Sequence, residues 1–195
     1  MSCTCRAVTA LVVLLTLPAP GALLGATEPP GAAKPSSSSA APAVTPGPHI
    51  RTTDVRMRRL LEEGMFGSRS LRALVERIQR SDVVVYVHCE RYAPSRVAGR
   101  LTFVSAAGGV RYVVVRLMRL ESRAQQIALL AHELQHAVEI ADTPAIVDAA
   151  SLAREYHRIG QVNTWSTAPG IAFDTIAAVD MGHRVLSEIA AATGE

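Results

Sequence analysis

The chain has 195 residues, of which 49% are hydrophobic, so it can bury the core of one domain. Its formal net charge is only +3, and its arginines are scattered rather than gathered in a basic run interleaved with aromatic residues. This pattern excludes a basic nucleic-acid-binding surface, and we expect no nucleic-acid partner.

The first 26 residues have the pattern of an export signal. Arg6 precedes an apolar run from Ala7 to Leu17, and small residues around Ala26 offer a cleavage site. The run, roughly a dozen residues, is short for a membrane span, so we expect cleavage and no stable membrane insertion. An uncleaved anchor is the alternative. The pattern therefore predicts a periplasmic or secreted protein.

Residues 27–48 are rich in Pro, Ser and Ala. Such a composition buries little apolar surface, which predicts a flexible linker. A single folded domain is expected over residues 49–195, a common domain size. Cys89 is the only cysteine of the sequence beyond the export signal, so this domain can form no internal disulfide.

Hydrophobic periodicity predicts an α+β domain, in which a small mixed or antiparallel sheet packs on helices. The predicted elements in chain order are a helix around 54–63, a helix through Leu71 and Ile78, strands at 83–87, 101–105 and 110–117, and helices at about 122–141, 144–159 and 173–191. Gly108 and Gly109 between the last two strands indicate a hairpin.

The helix predicted at 122–141 carries the pattern H-E-x-x-H, formed by His132, Glu133 and His136. Residues four apart share one face of a helix, so two imidazoles can bind one zinc ion while the glutamate acts as a base toward zinc-bound water. Ser122 and Gln125 form a capping-box pattern at the start of this helix. Counting about 100° per residue, both histidines fall opposite the apolar stripe, facing a cleft or the solvent.

At these residues the chain resembles the zincin metallopeptidases, either a gluzincin or a minimal zincin. The resemblance implies that His132 and His136 bind Zn²⁺ and that Glu133 serves as general base and acid. It also implies a small mixed sheet packed on the active-site helix, with an edge strand beside a peptide or protein substrate. In some gluzincins a glutamate on the next helix completes the site, and Glu155 has that spacing, although Arg154 stands where those proteins have asparagine.

A catalytic zinc site usually has three protein ligands, so a third is expected here. A very short turn before a helix starting at Pro144 would fold two helices into an antiparallel pair and bring Asp148 close to His136. Asp148 is therefore the first candidate, and Glu155 is its rival. Glu139 lies one turn beyond His136 on the same helix and is expected to orient a ligand rather than bind the metal.

Tyr156 and His157 are candidates for donating a hydrogen bond to a developing oxyanion. Together these patterns predict an exported zinc metallohydrolase, most consistent with a metallopeptidase in which Glu133 activates water. Two other interpretations remain open. The chain could be a non-catalytic binding module of zincin fold in the cell envelope or secreted fraction, or its zinc site could be structural and hold two helices together.

Overall fold

The structure of the protein, a computed structural model, describes residues 47–90, 98–162 and 173–194. The predicted export signal and nearly all of the predicted linker lie outside these residues. The described part of the chain contains five helices and a small mixed sheet, which confirms the predicted α+β class. None of these helices combines the length and hydropathy that crossing a bilayer requires.

The elements follow the predicted order of types along the chain. They are β1 (Ile50–Arg51), α1 (Val55–Gly67), α2 (Arg69–Gln79), β2 (Val83–Glu90), β3 (Gly99–Ala107), β4 (Val110–Met118), α3 (Arg123–Asp142), α4 (Ala149–Ile159), β5 (Gln161–Val162), β6 (Phe173–Asp174) and α5 (Ile176–Thr193). The strands β1, β5 and β6 have two residues each and no counterpart in the prediction.

Four strands form one sheet in the order β1-β2-β4-β3, while β5 and β6 pair separately. β2 runs parallel to both β1 and β4, and β3 runs antiparallel to β4, so the sheet is mixed. Gly108 and Gly109 have the positive φ angles, 59° and 77°, that a two-residue hairpin turn between β3 and β4 needs. Among the described strands, β3 has a neighbour on one side only and forms an edge.

One face of the sheet packs on the helices. Successive side chains of a strand point to opposite faces, so alternate residues of β2 and β4 enter the core. The fully or almost fully buried sheet residues of this core are Val83, Val85, Val87, Leu101, Val113, Val115 and Leu117. They meet Ile127, Leu130 and Leu134 of α3, which makes α3 the helix on which the sheet rests.

The polar side of α3 is covered as well. α5 crosses α3 closely at Gly182, where an added Cβ would lie 3.5 Å from the Cβ of His132. As a result His132 and His136 are only 6% and 0% exposed, so the histidines do not face the solvent. The predicted start of α3 is correct, since the Ser122 side chain accepts the Gln125 N–H at 3.3 Å.

Two other predicted helix starts are wrong, and side-chain capping is the reason. α4 begins at Ala149 rather than at Pro144, because the Asp148 carboxylate and Ser151 form a capping box. α5 begins at Ile176 rather than at Phe173, because Thr175 is its N-cap. Both corrections change which side chains can approach the histidines.

The C-terminal end of α3 is held by a buried arginine from the sheet. The Arg111 guanidinium of β4 donates to the carbonyls of Ile140 at 2.7 Å and Thr143 at 2.8 Å, which also accept the backbone N–H groups of Thr143 and Ile146. It also forms two 2.7 Å bonds to the Asp82 carboxylate. These bonds hold the pKa of Asp82 below its ordinary value. The cation also complements the negative end of the helix dipole.

Replacing Arg111 by methionine is expected to lower the free energy of unfolding by about 3 kcal/mol, because it removes the buried cation that binds the Asp82 carboxylate and the carbonyls at the end of α3. Arg116→Met is the matched control in the same strand. The Arg116 side chain is 39% exposed and pairs with Glu90, so its loss should cost less than about 1 kcal/mol. Urea unfolding of both variants measures the difference; equal midpoints would contradict the anchoring role of Arg111.

A second polar anchor joins α5 to the start of α2. The Glu188 carboxylate accepts hydrogen bonds from the Ser68 hydroxyl at 2.5 Å, the Ser70 hydroxyl at 2.8 Å and the Ser70 N–H at 3.0 Å. Burial raises the pKa of Glu188, but these bonds and the one from Arg69 outweigh it and lower the pKa to about 2. The carboxylate also lies at the positive end of the α2 dipole.

Because folding lowers the pKa of Glu188, the ionised carboxylate stabilises the fold at pH values above the unfolded-state pKa. This stabilisation is lost as the pH falls through the folded-state pKa. Glu188→Gln is therefore expected to lower the free energy of unfolding at pH 7 by about 2 kcal/mol, allowing for solvent screening. The difference in the free energy of unfolding between the variant and the wild type should become smaller as the pH falls from about 4.5 toward 2. Denaturant unfolding at a series of pH values from 7 to 3 measures this difference. A difference that grows on acidification would contradict the stabilising role of the Glu188 carboxylate.

Candidate metal centre

His132 and His136 occupy successive turns of α3 and point to the same side of the helix. Their Nε2 atoms lie 3.3 Å apart. Their ring centroids are 5.1 Å apart, with the ring planes inclined at 76°. Two aromatic nitrogens this close, both buried, can share either a proton or a cation. The pair predicted from the H-E-x-x-H pattern is thus brought together in space.

The third member of the cluster is Asp174, at the end of β6 and directly before the N-cap of α5. Its Oδ1 lies 3.3 Å from His132 Nε2 and 3.8 Å from His136 Nε2. Burial raises the pKa of Asp174, but the hydrogen bond and charge of His132 outweigh it, so the net pKa lies below its ordinary value. The ionised carboxylate and the two imidazoles are all buried and could hold a metal ion.

Glu133 lies beside this cluster, completely buried against the edge strand. A Cβ added at Gly99 of β3 would collide with Glu133 Oε1 and approach Leu129 Cδ1 to 3.0 Å. The Glu133 carboxyl group therefore occupies the space that a side chain at position 99 would fill. Burial raises the pKa of Glu133 to about 8.

Unpartnered polar atoms concentrate at this site. Among the described residues, the buried side-chain nitrogens and oxygens without a hydrogen bond are both carboxylate oxygens of Glu133 and Oδ2 of Asp174. A buried polar atom without a partner is costly, and native proteins usually satisfy it with water or an ion. Asp174 belongs to the cluster with the two histidines and Glu133 follows His132 on α3, which indicates a site able to receive something polar.

The far side of the His136 ring is held by Glu139 and Tyr156. His136 Nδ1 lies 2.8 Å from Glu139 Oε2, and the Tyr156 hydroxyl donates to the same oxygen at 2.8 Å. Because an ionised carboxylate only accepts hydrogen bonds, we assign the ring proton to Nδ1. That tautomer leaves a lone pair on Nε2, directed toward His132 and Asp174.

Glu139 is ionised despite its burial. Burial raises the pKa of Glu139, but hydrogen bonds from His136, Thr175 and Tyr156 outweigh it, so the net pKa lies below its ordinary value. The bond from the Thr175 hydroxyl is 2.6 Å long and reaches the other carboxylate oxygen, Oε1. Glu139 therefore lies where orientation of a ligand requires it, on the Nδ1 side of His136.

Asp148, the first candidate for the third ligand, is not brought to the histidines. Its side chain is exposed at the start of α4, where Oδ1 accepts the Ser151 N–H at 2.7 Å and the Ser151 hydroxyl at 2.7 Å. These bonds lower the pKa of Asp148. The group of described side chains that could hold a metal ion contains Asp174 in place of Asp148. The correction follows from the late start of α4.

Glu155, the rival candidate, is also outside this group. Its carboxylate pairs with the Arg158 guanidinium at 2.5 Å, and this hydrogen bond holds the pKa of Glu155 below its ordinary value. The ion pair joins residues three positions apart on α4, as expected for neighbours on a helix surface. Glu155 therefore has a partner of its own, away from the imidazoles.

The two oxyanion candidates have different surroundings from those expected. Tyr156 is buried, and its hydroxyl lies 3.0 Å from His136 Nδ1, on the side of the ring away from Nε2. Burial and the Glu139 carboxylate raise the pKa of Tyr156 well above its ordinary value. His157 is exposed and packs edge-on against Phe173, with the two ring centroids 4.4 Å apart.

Sequence reasoning missed Asp174 because it placed this residue inside a helix. The available signal was Thr175, a favoured N-cap residue directly before the apolar periodicity of α5. With the helix starting after Thr175, Asp174 lies in the preceding segment, free to turn toward α3. Asp174 is also far from His136 in sequence, so no spacing rule connects the two residues.

Comparison of the chain with protein-family models, curated proteins and solved structures gave no match. The resemblance to zincins therefore depends on the residues around His132 and on their arrangement in this chain.

The cluster predicts that Asp174, and neither Asp148 nor Glu155, contributes to metal binding. Asp174→Ala is expected to lower the affinity for Zn²⁺ by more than the roughly 10–100-fold typical of residues that only support a ligand. Asp148→Ala and Glu155→Ala should bind like the wild type. Competition with a chromophoric chelator measures all three. Equal affinities for the Asp174 variant and the wild type would remove Asp174 from the site.

Proposed function

We propose that the protein is an exported zinc-dependent hydrolase, most consistent with a metallopeptidase. His132, His136 and Asp174 bind the zinc ion, and Glu133 moves the proton that hydrolysis requires. The proposed export depends on the pattern of residues 1–26, and the proposed chemistry depends on the arrangement around α3.

The observation that carries the proposal is the spacing of the three ligand atoms. Nitrogen and oxygen ligands about 2.0–2.1 Å from a tetrahedral zinc ion lie roughly 3.3 Å from one another. The two Nε2 atoms are 3.3 Å apart, and Asp174 Oδ1 lies 3.3 and 3.8 Å from them. Two imidazoles with one carboxylate match the three-ligand sets of catalytic zinc sites, which keep a fourth position open.

Glu133 supports the catalytic rather than a purely structural interpretation. Zinc, when bound, polarises a carbonyl oxygen and lowers the pKa of a water ligand to near 7. The Glu133 carboxyl group follows His132 on α3 and is buried without a hydrogen-bond partner among the described residues. Burial raises its pKa to about 8, and the positive charge of a bound zinc ion would lower that pKa, which favours the ionised form that accepts a proton. A carboxylate so placed can take the proton from water and return it to the leaving amine.

The edge strand supports a peptide substrate. β3 lies at the end of the sheet order, and Gly99 at its start contacts Glu133. An edge strand can pair through its backbone with an extended peptide, which would place that peptide beside the proposed base. This geometry supports an extended chain, rather than a single small molecule, as the proposed substrate.

A structural zinc site is the competing interpretation, and the burial of the ligands favours it. The side chains of His132, His136 and Asp174 are 7%, 0% and 9% exposed. A metal ion among them would join the middle of α3 to the start of α5, and it would contribute directly to folding. This alternative assigns no role to Glu133, whose carboxyl oxygens have no hydrogen-bond partner in the part of the chain that the structure describes.

Glu133→Gln separates the two interpretations. It is expected to keep Zn²⁺ binding and to lower peptide hydrolysis by about 10²–10⁴-fold, the range that general acid–base catalysis contributes. Glu188→Gln is the control, because it removes a partly buried carboxylate that lies outside the metal centre and should retain hydrolysis. Mass spectrometry of a digested peptide library measures activity. A Glu133→Gln protein as active as the wild type would exclude the catalytic role.

A further inference from the structure

The Glu139 carboxylate connects three separate elements around the metal centre. Oε2 accepts from His136 Nδ1 on α3 and from the Tyr156 hydroxyl on α4. Oε1 accepts from the Thr175 hydroxyl at the start of α5. Both oxygens are thus engaged by donors, and the carboxylate is held on the side of the His136 ring opposite Nε2.

Thr175 makes this connection important for the third ligand. Its hydroxyl donates to Glu139 at 2.6 Å and accepts the Ala178 N–H at 3.1 Å as the N-cap of α5. Asp174 is the preceding residue, and its Oδ1 accepts the Thr175 N–H at 2.8 Å. The position of the Asp174 carboxylate therefore follows from the position of Thr175, which Glu139 holds against α3.

We infer that Glu139, Tyr156 and Thr175 are positioning residues that assemble the metal centre. This inference rests on the metal site of the proposed function and extends it beyond the ligands. Glu139 and Tyr156 fix the tautomer and orientation of His136. The Glu139–Thr175 hydrogen bond brings Asp174, which is distant in sequence, to the histidine pair. Supporting residues of this kind typically contribute roughly 10–100-fold to metal affinity.

Thr175→Val tests the connection between Glu139 and Asp174. This variant should bind Zn²⁺ about 10–100-fold more weakly than the wild type and should change the visible spectrum of the Co²⁺-substituted protein. Thr175→Ser keeps the hydroxyl and should restore affinity to within about threefold, well inside that effect. Ser122→Ala is the matched control, because it removes the N-cap hydroxyl of α3 without touching Glu139.

Affinity distinguishes positioning from ordinary helix capping. If Thr175→Val binds Zn²⁺ as tightly as the wild type while its thermal stability falls like that of Ser122→Ala, Thr175 is only a cap and the inference is overturned. Weakened binding in Thr175→Val together with unchanged binding in Ser122→Ala supports it.

A second measurement needs no metal. Nitrogen-15 NMR of the imidazole rings in the metal-free protein should show His136 protonated at Nδ1, with Nε2 unprotonated. Tyr156→Phe and Glu139→Gln should each reduce the population of that tautomer. A His136 ring protonated mainly at Nε2 in the wild type overturns the inference.

Failure of the proposed function can be distinguished from failure of this inference. A wild-type protein that binds Zn²⁺ but hydrolyses no peptide overturns the hydrolase proposal, while the affinity series still decides the role of Glu139. A wild-type protein that binds no Zn²⁺ overturns both. Hydrolysis by the wild type with equal Zn²⁺ affinity in Thr175→Val overturns this inference alone.

Discussion

The burial of three carboxylates beside two imidazoles is the constraint on which this structure depends. Moving a charge out of water is unfavourable unless hydrogen bonds or an opposite charge compensate for it. Glu139 has donors on both oxygens, Asp174 has them on one, and Glu133 has none among the described residues. The same small region therefore contains one acid with donors on both oxygens and one buried acid with no donor among the described residues, a combination that marks a candidate functional site.

The rest of the fold supports the helix that carries this region. α3 is enclosed by the sheet on one side and by α5 on the other, and Arg111 binds its C-terminal carbonyls. Such enclosure makes the orientation of His132 and His136 a property of the whole domain. A polar helix face becomes buried only when other elements bring partners to it. Here α4 brings Tyr156, and the segment directly before α5 brings Asp174 and Thr175.

Local patterns were sufficient to predict much of this fold from the sequence. β-branched runs predicted β2 and β4, the paired glycines predicted the hairpin, and the H-E-x-x-H spacing brought the two histidines together. The third member of the cluster, Asp174, could not be found this way. Asp148 has an attractive position only if α4 starts early, but capping by Ser151 sets a later start. Asp174 approaches α3 through tertiary packing, about which helical periodicity contains no information.

The bare backbone of Gly99 has a consequence for sequence variation and for motion at the edge of the sheet. Since no side chain separates β3 from the Glu133 carboxylate, position 99 accepts no larger residue unless the acid moves away. For the same reason, a movement of this strand toward α3 would displace the Glu133 carboxyl group directly, because no flexible side chain lies between them. The edge strand and the Glu133 carboxyl group are thus in direct contact at position 99.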